Sequence, residues 1–417
     1  MTTLPQSEPL ESLESFRERA RRFVAANLEP ADPDRPARLS MADARALQAT
    51  IFDAGFAGIA VAREHGGAGL TLAHQKVWAE EVEGYVVPGP LFVSIGMLGI
   101  TLLDHGSEVL KRRHVPRILR GDEVWLQLLS EPSGGSDMAA VMTRAVRDGD
   151  TWIVAGAKTW TTGAADADIG MCLARTDWEV PKHRGLSMFA VPLKDDRVTI
   201  EPIVGIEGGP ARFFQEFLDD VVVPAENLVG AENEGWSVAH TLLLHERNAS
   251  AGVGHGLGLG GLAEQGVDAQ GVADLVGYAG RSGSVADPGA RQQIAEAYVA
   301  ERAAAHLAER VTVGMRVGAF EGDWGSLLKL GLAVDGLRRA EIGITVARAD
   351  GVIWTDGSPD DGGAAGRAWL GARANSIAGG TNEMQRNIVS ERLLGMPREP
   401  ATDRDVPFSE VVRRRGP

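Results

Sequence analysis

Trp125-Leu126-Gln127-Leu128-Leu129-Ser130-Glu131-Pro132-Ser133-Gly134-Gly135-Ser136-Asp137 decides how this chain is read. An apolar, strand-like run ends in a tight turn built on Pro132, Gly134 and Gly135. Such a turn presents backbone N–H groups, here beside the hydroxyls of Ser130 and Ser136, and these are groups that bind carbonyls and phosphates. Taken alone, a Ser-Pro-Gly turn is more often simply a turn.

Working outward, the texture changes on either side of this stretch. Upstream, Leu13, Phe16, Ala20, Phe23 and Val24 recur at helical spacing in 12–27, and further helices fit 41–54, 72–83 and 112–119. Downstream, 144–154 reads as two strands around Asp148-Gly149-Asp150, followed by strands over 187–191, 198–203 and 213–223. Past Trp236 the helical pattern returns. One helix is expected over 294–311, with Ile294, Ala297, Tyr298, Ala304, Ala305, Ala308 and Val311 on one side, and two more over 324–348 and 372–394. Three segments are expected to be non-helical: 254–266 and 274–289, and the polar connection 356–366. Helices, then strands, then helices predict a mainly α protein with an inserted β-domain: an N-terminal helical domain over 1–123, a β-barrel over 124–235 and a helical bundle over 236–417.

Bulk composition fits a globular protein of several domains: 417 residues, 44% hydrophobic and 24% charged. A net charge of −15 repels phosphate backbones, so nucleic acid is not an expected partner. A local site for a phosphate-bearing cofactor is untouched by that argument, because short-range hydrogen bonds outweigh a screened field. The single cysteine, Cys172, sits in an apolar run and reads as a small buried hydrophobe. The start of the chain has no secretory pattern, and the longest apolar stretch, 91–103, is too short to span a bilayer. A cytoplasmic protein is expected.

A second segment, Gly156-Ala157-Lys158-Thr159-Trp160-Thr161-Thr162-Gly163-Ala164, pairs an aromatic ring with two hydroxyls, which suits a flat ligand with polar edges and equally suits a β-core. Further motifs follow in order: Arg175-Thr176, then Asp219-Asp220-Val221-Val222-Val223-Pro224, Asn227 and Gly235-Trp236. Near the end come Gly379-Gly380-Thr381-Asn382-Glu383-Met384-Gln385-Arg386-Asn387 and Glu391-Arg392-Leu393-Leu394-Gly395-Met396-Pro397-Arg398. Together with the two segments above, this set resembles the acyl-CoA dehydrogenase family over nearly the whole chain.

The resemblance implies a helical domain, a β-barrel and a C-terminal four-helix bundle, with FAD held between barrel and bundle. It implies α,β-dehydrogenation of an acyl-CoA thioester, with electrons passed on to an electron-transfer flavoprotein. Gln127, Leu129, Ser130, Trp160, Thr161 and Thr162 match positions along the flavin, and Thr381 and Glu383 match positions near the FAD phosphates and flavin. Arg281 matches, with altered spacing, an arginine that reaches a neighbouring subunit's FAD, so a homo- or hetero-oligomer built as a dimer of dimers is implied. Ser136 would face the CoA, and Leu244, Arg247 and Gly380 the substrate.

The chemistry requires a carboxylate to take the α-proton while the β-hydrogen leaves as hydride. The commonest family pattern puts a glutamate immediately before the Gly-Thr pair, and this chain has Gly379 there. A minority of the family, bacterial members acting on bulky acyl groups such as sterol side chains among them, carries the base in a Glu-Arg pair on a bundle helix. Leu244-His245-Glu246-Arg247 occupies that place, which makes Glu246 the expected base. A silent partner subunit, or a flavin monooxygenase on the same fold, are the competing expectations. His245 is expected to make a packing or surface contact. Gly256-Leu257-Gly258-Leu259-Gly260-Gly261 fits a dinucleotide fingerprint but lacks a flanking strand, and no His or Cys pair has metal-ligand spacing.

Overall fold

The computed structural model describes residues 10–32, 39–206, 211–250, 271–320, 322–353 and 363–415. In the N-terminal region α1 (Leu13–Asn27) starts where the Ser12 hydroxyl accepts from the Ser15 N–H at 3.2 Å. It buries Phe16, Ala20 and Val24, as the helical spacing predicts. Helices α2 (Met41–Asp53) and α3 (Leu72–Glu81) complete a small core in which Phe56 stacks on Trp78 at 4.6 Å. The apolar stretch 91–103 becomes a π-helical turn, Ser94–Gly99, running into α4 (Ile100–His105) and buried against the β-domain. α5 (Glu108–Arg120) is stopped by Gly121 at φ 82°. Among the described residues no helix is long and apolar enough to cross a membrane.

The middle of the chain forms one eight-stranded sheet: β1 (Trp125–Leu128), β2 (Arg144–Asp148), β3 (Thr151–Thr162), β4 (Ile169–Arg175), β5 (Leu186–Pro192), β6 (Val198–Ile203), β7 (Phe213–Pro224) and β8 (Leu228–Val229). The strand order is β6-β7-β3-β2-β4-β5-β8, and β1 lies parallel to β4 with Trp125 opposite Ile169. The sheet rolls on itself, bringing β5 back against β7 and β1 against β3. Cys172 is fully buried on β4, and burial pushes its thiol up to about 11. The β3–β7 ladder slips register between Thr159 and Thr161. At that bulge Trp160 adopts φ 65°, which turns its ring outward (61% exposed) while Thr161 points in.

The C-terminal region contains α6 (Gly235–Ser250), α7 (Val272–Arg281), α8 (Pro288–Arg316), α9 (Trp324–Ala347), α10 (Gly363–Asn375), α11 (Asn382–Ile388) and α12 (Phe408–Arg415). α9 is the hub, touching α6, α7, α8, α10 and α11. α12 leaves the bundle and returns to the β-domain, where Phe408 lies under the Arg175 guanidinium at 3.8 Å.

Three expectations are corrected here. The segment 274–289 is not a loop: α7 runs to Arg281 because Leu275 and Ala279 are buried with Ile342 and Val346, and the Asp274 carboxylate accepts from the Gly271 N–H at 2.8 Å. Burial on one face outweighs the low helix propensity of its glycines. The helix expected over 372–394 is two helices, because Gly379 (φ 64°) and Gly380 (φ 87°) break it and Thr381 caps a new start. In the expected stripe of α8, Ala297 and Val311 are buried but Tyr298 is 54% exposed, since seven residues span more of the helix than its neighbours cover. The segment 254–266, with its fingerprint-like glycines, and residues 356–362 lie outside the described residues; 363–366 open α10.

Candidate active site

Helix α6 packs on β4, β5 and the π-helical turn through Val238, Ala239 and Leu242. Glu246 lies one turn beyond Leu242 on the same stripe, so a carboxylate continues an apolar face and is carried inward. On one side Gln127, from β1, donates through Nε2 to Glu246 Oε2 at 3.4 Å. On the other, the Gly379–Gly380 turn closes in. A Cβ placed on Gly379 would stand 3.2 Å from Glu246 Oε1, and the residue's φ of 64° already excludes most side chains. The two sequence positions considered for the base therefore meet at one point in space.

Neighbours on α6 diverge, as adjacent helical residues must. His245 turns away to Asp104, with its Nε2 2.8 Å from Oδ2. Arg247 is half-buried and reaches Asp323 at 3.3 Å, and Arg392 holds the other oxygen of the same carboxylate at 2.7 Å. Leu244 is 38% exposed.

The electrostatics of this corner are those of charges short of water. Burial raises the Glu246 carboxyl above the usual carboxylate range, opposed by the Gln127 amide and the positive charges of Arg247 and Lys329. Burial lowers Arg247 and Lys329 in turn, against the pull of Asp323 and Glu246 on the first and of Glu246 and Glu383 on the second. His240, one helical turn and a half earlier, is lowered by burial and by the nearby Arg392 and Arg247.

The diglycine turn is clamped from two directions. Gln385 donates through Nε2 to the Gly379 carbonyl at 2.8 Å, and Lys329, from α9, donates through Nζ to the Gly380 carbonyl at 2.6 Å. Thr381 follows at once and caps α11 by accepting from the Met384 N–H at 3.2 Å. Glu383 is exposed in the first turn of α11, where backbone N–H groups and the Thr381 hydroxyl hold its carboxyl below the usual range.

Gln127, Leu129 and Ser130 line up beside the end of β3, tied by the Thr159 N–H donating to the Ser130 carbonyl at 3.0 Å. Trp160 and Thr162 are exposed there, whereas the Thr161 hydroxyl donates inward to Glu216 Oε2 at 2.8 Å. Behind them, buried Lys158 donates to Glu131 Oε1 at 2.8 Å and to the Leu173 carbonyl at 2.7 Å. Glu131 also accepts from the Met142 N–H at 2.6 Å and the Thr143 N–H at 2.9 Å, which holds the whole Ser-Pro-Gly turn to the sheet. Ser136 is exposed at the outer end of that turn. Arg281 lies exposed at the end of α7, over the Tyr278 ring at 5.1 Å. Away from this site, Glu64, His65 and Glu108 bring ligand atoms within 4.8 Å, with Glu108 also paired to Lys111.

Sequence reasoning missed Lys329, Gln385, Asp323 and Glu216. Lys329 carried a usable signal: it is a lone cation in the apolar run Leu327-Leu328-Lys329-Leu330. The other three have ordinary surroundings in the sequence and acquire meaning only through tertiary contact.

A helical domain, a rolled sheet and a helical bundle succeed one another along the chain, with a half-buried carboxylate where the sheet meets the bundle. Three domain models match in series: the acyl-CoA dehydrogenase N-terminal domain over 11–122, middle domain over 127–216 and C-terminal domain over 233–394. The chain is 35% identical over 399 residues to acyl-CoA dehydrogenase IpdE1 of Mycobacterium tuberculosis (strain ATCC 25618 / H37Rv), covering 94% of this chain and 99% of that protein. Among solved structures it is similar to a Tcur3481-Tcur3483 steroid ACAD, with 29% identity, a TM-score of 0.70, and coverage of 93% of this chain and 98% of that one. The ChsE4-ChsE5 complex from Mycobacterium tuberculosis shares the fold, with a TM-score of 0.68 at 24% identity over 96% of this chain and 100% of that one. The chain belongs to the acyl-CoA dehydrogenase family, whose members are FAD-dependent flavoproteins, and is an oxidoreductase acting on acyl-CoA.

Proposed function

We propose that this protein introduces a double bond between the α and β carbons of an acyl-CoA, with Glu246 as the base. One observation carries the reading: the Glu246 carboxylate stands against Gly379, where the commonest family pattern has its glutamate. A carboxylate raised by burial is a stronger base than one in water, which suits a weakly acidic α-proton. The missing side chain at Gly379 leaves room for the Glu246 carboxylate on that side.

What supports FAD in this chain is an unmet polar group and an exposed ring. Gln127 Oε1 is buried with no hydrogen-bond partner among the described residues, and Trp160 is presented outward at the bulge of β3. Gln127, Leu129, Ser130, Trp160 and Thr162 would hold the flavin, with Thr381 and Glu383 beyond them; the Thr161 side chain, turned inward to Glu216, would meet it only through its backbone. When bound, FAD supplies the acceptor for the hydride that leaves the β carbon. Gln127 has a double duty in this reading, orienting the base with its Nε2 and meeting the cofactor with its Oε1. Ser136, Leu244, Arg247 and Gly380 would bind the substrate.

A bulky acyl group, of the sterol side-chain kind, is the proposed substrate, supported by Gly379 and by the likeness to a steroid ACAD. Val276, Val285, Tyr298 and Val299 are each half or more exposed on α7, α8 and the turn between them, an apolar face suited to a second subunit in a homo- or hetero-oligomer whose FAD site Arg281 would complete. An electron-transfer flavoprotein is the proposed acceptor and the cytoplasm the proposed location. The test is anaerobic: a bulky acyl-CoA bleaches the flavin absorption of the wild type and leaves Glu246→Gln yellow. A Glu246→Gln protein that bleaches at the wild-type rate would overturn the assignment, and preference for short straight chains would remove the substrate class.

A further inference from the structure

Lys329 stands out among the charged groups of the bundle that no site role has absorbed. It is half-buried on α9, in a helix face that is otherwise apolar around it, with Leu328 fully packed. Its Nζ is anchored 2.6 Å from the Gly380 carbonyl, and Gly379, the preceding residue, is the one pressed against Glu246 Oε1. The Gln385 amide already satisfies the Gly379 carbonyl at 2.8 Å and reaches Gly380 at 3.4 Å, so the turn has a neutral clamp in addition to the cationic one. A cation is costly to shield from water, and a second amide would hold the carbonyl as well. The placement therefore calls for a reason tied to its charge.

We propose that Lys329 is a positioning residue for the base: it holds the Gly379–Gly380 turn against the Glu246 carboxylate and supplies the nearby positive charge that a dry pocket otherwise denies it. The inference rests on Glu246 being the base. The groups that face Glu246 are Gln127 from β1, Arg247 from its own helix and Lys329 from α9. Around these lie Asp323 and Arg392, which engage Arg247, the half-buried His240, Glu383, which faces Lys329, and the His245–Asp104 pair on the outer face of α6. Arg247 is held by Asp323, which it shares with Arg392, so one carboxylate meets two cations and Arg247 keeps positive charge that acts on Glu246 alongside Lys329. Lys329 is bound to a neutral carbonyl, which leaves its charge to act on Glu246 and Glu383. Removing it raises the Glu246 carboxyl further, so that a larger share of the base is protonated at any acid pH.

The experiment reads α-proton exchange of a bulky acyl-CoA in D2O against pH, under anaerobic conditions, with the FAD-loaded protein. Mass spectrometry follows the deuterium, and the flavin spectrum reports cofactor content. Wild type, Glu246→Gln, Lys329→Met, Lys329→Gln and Lys329→Arg are compared. Exchange in Lys329→Met should fail at higher pH, its acid limb moving up by about one pH unit and leaving about a tenth of the wild-type rate on that limb. Lys329→Gln should show the same displaced limb, because it can donate to a carbonyl without carrying charge, and Lys329→Arg should restore most of it. If Glu246→Gln still exchanges like the wild type, the base assignment itself fails, whatever the lysine does. If Glu246→Gln is dead and both neutral Lys329 variants, still yellow, keep the wild-type limb, the lysine proposal alone is overturned.

Discussion

Two carboxylates, one buried and one half-buried, set the terms on which this molecule works. Glu131, under the Ser-Pro-Gly turn of the β-domain, is met on every side: Lys158 Nζ and two backbone N–H groups donate to it, and its carboxyl lies below the usual range in spite of burial. Glu246, on α6, accepts from Gln127 Nε2 at 3.4 Å and has cations nearby that are anchored elsewhere, and burial holds its carboxyl above the usual range. The residue type is the same and both are shielded. The difference lies in which influence wins: at Glu131 the Lys158 charge and three donors outweigh burial, whereas at Glu246 burial outweighs the Gln127 amide and the charges of Arg247 and Lys329. By that contrast Glu131 serves the architecture, and Glu246 is the group proposed for the chemistry.

The contrast can be broken most directly at Glu246. Glu246→Gln should lower the rate of flavin bleaching by about 10²- to 10⁴-fold while leaving the melting temperature near that of the wild type. A large loss of stability instead would make Glu246 another Glu131. The mirror experiment is Lys158→Met, which strands Glu131 in the barrel. It should cost about 3–5 kcal/mol of stability, read from chemical denaturation.

Gly379→Ala sharpens the comparison at the point of contact. A Cβ at φ 64° and 3.2 Å from Glu246 Oε1 should cost about 1–2 kcal/mol of backbone strain and displace the carboxylate. The kinetic expectation is a roughly ten- to hundred-fold fall in kcat, read in the same bleaching assay. Turnover unchanged in this variant would mean that the carboxylate does not work from the position it holds here.

A third carboxylate, buried like Glu131, lies between the extremes and gives the smallest effect. Glu216 is met on one oxygen by the Thr161 hydroxyl, its Oε1 has no partner among the described residues, and burial pushes it up to about 7 from 4.5. The folded protein therefore keeps this proton where the unfolded chain has lost it, so the stability it contributes is full below pH 4.5 and is lost as pH rises through about 7. Glu216→Gln should flatten that part of the stability–pH curve and make the protein more resistant to heat at pH 8 than the wild type. A curve of unchanged shape would place Glu216 with Glu131.

Much of this was legible in the sequence because the signals are local. The spacing of Phe16, Ala20 and Val24, the turn at Asp148–Asp150 and the strand 198–203 are set by side-chain period and turn chemistry over a few residues, and the structure repeats them. The helix–strand–helix order, and with it the fold class, followed from these. One error lies where tertiary burial overrode local propensity: α7 forms from a glycine-laced stretch because α9 buries Leu275 and Ala279. The other lies in a local signal passed over, since Gly379 and Gly380 take positive φ and break the helix expected over 372–394.

The sequence by itself determined that a glutamate is missing at 379, that another stands at 246, and that the chain carries the ordered motifs of one family. Only the tertiary structure decided that these two positions share one space, that Gln127 and Lys329 reach it from a strand and a helix far apart in the chain, and that Thr161 turns inward while Trp160 turns out. The reason is physical. Periodicity and turn residues encode which face of an element is apolar, but the ionisation of a carboxylate depends on what water is excluded and which charges arrive from elsewhere, and those are properties of packing.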